Sequence, residues 1–177
     1  NKLQARTSYV LVENKFQLLI SGILKSLGIK EFDFLSSTLA EGLYLIDEHK
    51  RNEGAILVDC GYTTTSVALV LGAGLKELKS FSLGGGHITA DISKNLGLEF
   101  EDAEELKKDI ILTLNPNGTD CYTAENGKKF AIKSVNEIAL ARIDRISELV
   151  LKCIDAFEMQ LPKYIPIYLT GGGLNYF

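Results

Sequence analysis

Apolar positions along this chain recur with two different periods. Lys15–Leu27 carries apolar side chains at Phe16, Leu19, Ile20, Ile23, Leu24 and Leu27. Steps of three and four predict an amphipathic helix, with Gly28 as its cap. Leu39, Leu43 and Ile46 repeat the pattern over Ser37–Asp47, behind a Ser36 or Ser37 cap. Ser8–Val12 and Ile29–Leu35 read as short strands. The charged run Glu48–Glu53 reads as a loop, with His49 as a solvated residue within it.

From Ala55 the pattern changes to β-branched runs bounded by glycine. Ala55–Val58 runs into Asp59. Val67–Leu71 follows and breaks at Gly72 and Gly74. Leu75–Leu83 ends in Gly84–Gly86. Two tight connections in a row predict an antiparallel meander of three strands. His87–Leu96 is then a short helix closed by Gly97, and Glu101–Lys108 another, with acids first and lysines last. Leu98–Ser134 reads as a small inserted lobe. It carries turn signals at Asn115-Pro116-Asn117-Gly118 and Asn126-Gly127, flanked by strands at Ile110–Leu114 and Lys129–Ile132. Val135–Gln160 is a long helix with one wide apolar face, ended by Pro162. Ile165–Leu169 is a buried strand that opens into Thr170-Gly171-Gly172-Gly173. The layout is α/β with a mixed sheet. Strands joined through a crossover helix are expected to be parallel, and ligands of such sheets bind beyond the carboxyl ends of the strands. The Asp59 and Gly171–Gly173 turns both follow strands and can meet at that edge.

Composition narrows the class. The chain has 177 residues, 46% hydrophobic and 24% charged, with a net charge of −4. That is a normal globular balance, and no basic surface points to nucleic acid. The three cysteines, Cys60, Cys121 and Cys153, are far apart and form no zinc or disulfide pattern, which fits a reducing cytoplasm. No apolar run approaches the ~20 residues that span a bilayer. The chain opens at Asn1 and stops at Phe177 just after a glycine-rich turn, so it is expected to be an excerpt of a longer protein.

The chemistry-bearing stretch is Asp59–Thr65. A carboxylate, a glycine and the hydroxyl residues Tyr62, Thr63, Thr64 and Thr65 sit at a strand end. Backbone N–H groups in such a turn can form an anion-binding concavity, and Asp59 can hold Mg²⁺ through water. The alternative is an ordinary hairpin with Asp and Thr as turn formers. Taken singly, Glu104 and Lys107 read as a solvated pair, Gly171–Gly173 as a plain turn, His87 as a helix-start residue and Asp91 as a local hydrogen-bond partner.

Four segments taken in order, VDCGYTTT (58–65), LGGGHITADI (83–92), AEELK (103–107) and YLTGGG (168–173), resemble the actin-like nucleotide-binding superfamily. Within it they are most similar to the FtsA-like cell-division family, with the PilM-like pilus-assembly family as runner-up. The resemblance implies the second half of such a protein: a ribonuclease-H-like core over 55–177 with the small lobe at about 98–134, and residues 1–54 as the tail of the preceding half. It implies that Asp59, Gly61, Thr63 and Thr64 form a second phosphate loop for ATP and water-bound Mg²⁺. It places Gly84, Gly85 and Gly86 at a turn by the cleft, Glu104 and Lys107 towards ribose and adenine, and Gly171, Gly172 and Gly173 at an adenosine loop.

The same resemblance implies a cytoplasmic adaptor that binds the carboxyl-terminal tail of the ring protein FtsZ on the small lobe. Phe100, Leu106, Ile110, Leu112, Phe130 and Ile132 would form an apolar groove, flanked by Lys107, Lys108, Lys128 and Lys129. Membrane association would come through a segment outside this chain, and actin-like filaments are implied for the parent. Two departures bear on activity. Tyr62 and Thr63 stand at positions where the family has glycine, and Ser36-Ser37-Thr38 stands where relatives often have an acid or Gln that orients water. Both imply an ATPase that is slow at most.

Overall fold

The computed structural model describes residues 7–112, 117, 119–158 and 162–174. The elements run α1 (Asn14–Ser26), α2 (Ser37–Leu45), α3 (Glu48–Glu53), β1 (Ala55–Cys60), β2 (Thr65–Leu71), β3 (Gly74–Phe81), α4 (Gly85–Leu96), α5 (Phe100–Lys108), β4 (Cys121–Thr123), β5 (Lys129–Ala131), α6 (Ile132–Asp155) and β6 (Ile167–Thr170). A short 3₁₀ turn, Gly172–Leu174, follows β6.

The main sheet has the order β3-β2-β1-β6. β1 and β2 are antiparallel, as are β2 and β3, so the meander forms as expected. β6 returns beside β1 in parallel, after the long crossover through α6. β1 lies between two strands and is covered on both faces, so its apolar run is continuous rather than alternating. Ala55, Leu57, Ala68 and Val70 pack with Ile46 on one face. Ile56, Val58, Val67 and Leu69 pack with Phe157, Val150 and Ile154 on the other. A third cluster joins Ile88 and Ile92 of α4, Ala103 and Leu106 of α5, Ile110, and Val135 and Ala139 of α6. α4 and α6 are also tied by a two-pronged ion pair from Arg142 to Asp91, at 2.6 and 3.0 Å. Asp91 is thus a long-range partner rather than a local one.

Several expectations are corrected. Residues 8–12 and 29–35 are not strands, because no strand lies alongside them among the described residues to complete a ladder. Tyr9 and Leu11 are 82% and 92% exposed. Glu48–Glu53 is a helix, not a loop; Arg51 anchors it by donating to the carbonyls of Ile46 and Gly72. Ile110–Leu112 is not a strand, and residues 113 and 114 lie outside the described set, as do Asn115, Pro116 and Gly118 of the first turn signal. The partner of β5 is instead β4, directly before the Asn126-Gly127 turn. In that turn the Gly127 N–H donates to the Ala124 carbonyl at 2.8 Å, so the tight loop selects the adjacent segment. β6 is an edge strand rather than a buried one, with Ile167 51% and Leu169 76% exposed. Leu106 and Ile110 of the expected groove are 2% and 1% exposed and serve the local core. Among the described residues no helix is long and apolar enough to cross a membrane.

Burial of β1 outweighs the surface ties. Leu57→Ala, which empties space between two covered faces, is expected to cost about 2–5 kcal/mol. Arg142→Ala, which removes a partly exposed pair, is expected to cost about 1 kcal/mol or less. Hydrogen exchange of the β1 amides in the full-length protein checks the ranking.

Candidate functional site

Three chain turns meet at the carboxyl end of β1. Gly61–Thr64 closes the β1–β2 hairpin, with the Gly61 N–H donating to the Thr64 carbonyl at 2.8 Å. The first turn of α4 hangs from this hairpin. The Gly85 N–H donates to the Gly61 carbonyl at 3.0 Å, and the Gly86 N–H to the Tyr62 carbonyl at 2.8 Å. His87 closes the helix start by accepting the Gly84 N–H on Nδ1 at 3.2 Å. The end of β6 packs against the same place, backbone on backbone. A Cβ at Gly171 would lie 2.5 Å from Asp59 Oδ1, one at Gly173 2.7 Å from the Cys60 carbonyl oxygen, and one at Gly85 2.7 Å from the Gly173 Cα. Gly171 also has φ +95°, which side chains rarely adopt. These glycines let three backbones converge on the end of β1, one of them within contact distance of the Asp59 carboxylate.

Side-chain alternation decides what Asp59 faces. Ala55 and Leu57 point to the α2 side of the sheet, so Asp59 does too. Ser66 and Thr170 are its register neighbours on β2 and β6. α2 presents Thr38, 7% exposed, and Glu41 on this side. Glu41 Oε2 is buried and has no hydrogen-bond partner among the described residues. Burial, and secondarily the Asp59 charge, push the Glu41 carboxyl above its ordinary range. On the hairpin itself, Tyr62, Thr63 and Thr64 donate their backbone N–H groups to no described acceptor, and Thr63 and Thr64 are exposed. Open amides, an acid with an unsatisfied oxygen and a second carboxylate therefore share one edge. Hard oxygen donors of this kind suit Mg²⁺, which takes few carboxylates and fills its shell with water and phosphate oxygens. No group of three or more His, Cys, Asp or Glu stands together among the described residues, so a protein-only metal cage is not formed there. The Cys60 thiol beneath is buried; burial pushes its ionisation up, Thr65 opposes and Asp59 adds to it.

A second polar cluster lies on α4 and α5. Lys107 is 2% exposed, and its ammonium donates to Glu104 at 2.8 and 2.9 Å, to Thr89 Oγ1 at 3.0 Å and to the Gly85 carbonyl at 3.3 Å. The Thr89 hydroxyl also donates to Glu104 Oε2. Burial alone would raise the Glu104 carboxyl. The Lys107 and Thr89 hydrogen bonds and the Lys107 charge outweigh it and hold Glu104 below the usual range. The spacing of three that puts Glu104 and Lys107 on one face makes them partners, and the pair is far from solvated.

The structure brings Asp59, Gly61, Gly85, Gly171 and Gly173 into direct contact. Thr63, Thr64 and Gly172 sit exposed at the rim. Glu104 and Lys107 stand across the Tyr62 ring from that contact. Sequence reasoning missed Glu41. A helical turn separates it from Ser37, so both lie on one face of α2, and following that face from the expected acid position finds it. Its raised carboxyl has a definite sign. Ionised Glu41 disfavours the folded state, so its favourable contribution is present below the unfolded value and is lost as pH rises through the folded one. Glu41→Gln is expected to melt higher than the unmutated protein at pH 8, with the difference shrinking towards pH 4, by thermal unfolding without ligand.

With this geometry in hand, comparison with known proteins identifies the family. The family model for cell division protein FtsA matches residues 56–171. Cell division protein FtsA of Bacillus subtilis is 34% identical over 83 residues, 47% of this chain and 19% of that protein. Its counterpart from Neisseria meningitidis is 27% identical over 161 residues, 82% of this chain and 37% of that protein. The chain thus spans well under half the length of these relatives. Among solved structures, MreB5 of Spiroplasma citri bound to AMPPNP superposes with a TM-score of 0.71 at 18% identity, over 92% of this chain and 54% of that one. A PilM–PilN type IV pilus biogenesis complex gives 0.61 at 20% identity, over 89% and 41%. These likenesses show the actin-like ATPase fold. By the family model, which covers most of its length, the chain belongs to the FtsA family of cell division proteins.

Proposed function

We propose that this chain forms one side of an ATP–Mg²⁺ cleft in a longer actin-like protein, and that the parent works as a cell-division scaffold with slow turnover at most. The observation that carries this reading is the convergence of the three glycine turns on the Cys60–Gly61 backbone at the end of β1, with Gly171 against Asp59 and the open amides of residues 62–64 beside them. In this reading the Gly61–Thr64 turn holds the β- and γ-phosphates through backbone N–H groups, which fixes them without a mobile side chain. Asp59 accepts hydrogen bonds from waters on Mg²⁺, and the bound ion supplies neutralisation of phosphate charge. Gly171, Gly172 and Gly173 leave room for the adenosine, and Glu104, held ionised by Lys107, accepts from the sugar hydroxyls. Lys107 then acts through Glu104, because its own donors are engaged. The MreB5 structures bound to AMPPNP and to ADP lend support, since they share the fold.

Slow turnover follows from what stands at α2. Ser37 is exposed at the helix start, and a hydroxyl is a poor base for positioning water. ATP titration and single-turnover hydrolysis on the full-length protein test both parts. Saturable Mg²⁺-dependent binding is expected, weakened roughly tenfold or more by Asp59→Ala, with turnover below about 1 per second. Absence of saturable binding, or binding indifferent to Asp59→Ala, would sink the reading.

The partner reading is the FtsZ carboxyl-terminal tail, bound on the face built by α5, the β4–β5 hairpin and the start of α6. With Leu106 and Ile110 taken by the core, the apolar surface left to a peptide comes from Phe100, 43% exposed, and the half-buried Leu112, Phe130 and Ile132. Lys108, Lys128 and Lys129 flank it; Lys107 is withdrawn beneath Tyr62. Membrane attachment and filament assembly are assigned to the parent, the former through a segment outside residues 1–177. Titrating the full-length protein with an FtsZ tail peptide is expected to show binding that Lys128→Glu with Lys129→Glu weakens several-fold. Binding untouched by that double change would move the site elsewhere.

A further inference from the structure

Tyr62 stands at a position where a phosphate-binding turn is best served by glycine, yet its ring does not lie over the turn amides. It reaches from the β1–β2 hairpin across to α5. Its hydroxyl donates to Glu104 Oε2 at 3.3 Å. The Lys107 ammonium lies 5.3 Å from the ring centroid. A Cβ at Gly86 would lie 2.6 Å from Tyr62 Cε1, so the ring rests on the first turn of α4. The residue is still 47% exposed, with one side on protein and the other towards solvent. The phenol therefore bridges the hairpin amides and the Glu104 carboxylate, the two places assigned above to the phosphates and the sugar of one ligand.

The accounting at Glu104 shows what the phenol holds. Among the described residues Oε1 receives only Lys107, at 2.9 Å. Oε2 receives Lys107 at 2.8 Å, Thr89 and Tyr62, which fills it. Tyr62 makes the longest of these contacts and is the one donor not rooted in α4 or α5. A sugar hydroxyl is, like the phenol, a neutral O–H donor, and one that reaches Oε2 has to take the place of the phenol, because that oxygen is full. Burial and the Glu104 charge push the phenol's ionisation up, so it is a competent donor throughout the neutral range.

We propose that Tyr62 is an internal latch: on Glu104 it occupies the hydroxyl-accepting position that a nucleotide's sugar takes, and nucleotide binding swings it out. The inference rests on the nucleotide reading given above. Because the ring lies over α4 and α5 rather than over the hairpin amides, a ligand without a sugar does not displace it. The latch thus makes binding selective for ligands whose sugar hydroxyls replace the lost contact, and it couples the hairpin to α5 when the site is empty.

The test compares full-length wild-type protein with Tyr62→Phe, which keeps the ring and deletes the hydroxyl. Calorimetric titration uses ATP and, separately, inorganic tripolyphosphate; hydrogen exchange of the hydrogen-bonded Gly61, Gly85 and Gly86 turn amides is followed without ligand. ATP affinity is expected to rise about five- to tenfold in Tyr62→Phe, as loss of one hydrogen bond to a charged acceptor implies. Tripolyphosphate affinity stays unchanged, and the turn amides exchange faster. Equal or weaker ATP binding by Tyr62→Phe overturns the latch, as does an equal gain for tripolyphosphate, which would mean general loosening. Unchanged exchange also overturns it, whatever the ligands do. ATP binding by neither protein overturns the nucleotide reading and the latch with it. Asp59-dependent ATP binding with no gain in Tyr62→Phe overturns the latch alone.

Discussion

The Gly61 carbonyl is the point on which the structure turns. It accepts the Gly85 N–H, and it lies where side-chain carbons at Gly84 and Gly173 would have to go. Three backbones share that one place because none of them carries a side chain there. A Cβ on any of them would push against peptide groups rather than against a yielding side chain. The start of α4 is therefore fixed against the end of β1, and the end of β6 against both. The α5 cluster inherits this placement, because Lys107 donates to the Gly85 carbonyl and Glu104 is held by Thr89 of α4.

Two glutamates on opposite sides of this junction show how environment decides protonation. Glu41 has a buried oxygen with no donor among the described residues, and burial, with the negative Asp59 second, pushes its carboxyl up. Glu104 is also partly buried, but an ammonium and a hydroxyl donate to it, so its carboxyl is held down. Taking a Lys–Glu pair out of water is expensive and rarely favours folding over an apolar pair. Its use here is positional: it keeps an ionised acceptor at a set distance from the hairpin. Glu41 has the opposite character, an unsatisfied acceptor beside the Asp59 edge that gains from any donor brought there.

In the proposed reading the chain supplies one wall of a cleft, and the relatives it matches extend well beyond the shared region, which is 19% and 37% of their length. The residues present at the edge fall into two kinds. Backbone amides and one carboxylate sit at the edge, while charged side chains are tied to one another. In the proposed reading such a surface would hold and orient a nucleotide rather than react with it.

The sequence by itself determined the elements whose signals are local. The meander, the helix read over His87–Leu96, the turn at Asn126-Gly127 and the long helix before β6 all follow from period and punctuation, although the first of these helices begins at Gly85 and the long one ends at Asp155, short of the Pro162 read as its stop. The site residues were legible only as an ordered set, since Asp59, the Gly84–Gly86 run and Gly171–Gly173 are each ordinary alone. Tertiary structure decided the rest. Residues 8–12 and 29–35 carry strand-like composition, but a strand is a property of a pair and no described neighbour supplies one. Glu104 and Lys107 look like a surface pair by spacing, and burial against α4 makes them an internal one. Tyr62 was legible only as a departure from glycine in the β1–β2 turn, and its ring is directed to α5, where Glu104 accepts its hydroxyl and the Lys107 ammonium lies against it. Helical spacing from Ser37 could have pointed to Glu41, but its unpartnered oxygen on the Asp59 side of the sheet could not be read there, because no linear pattern encodes what a side chain fails to meet.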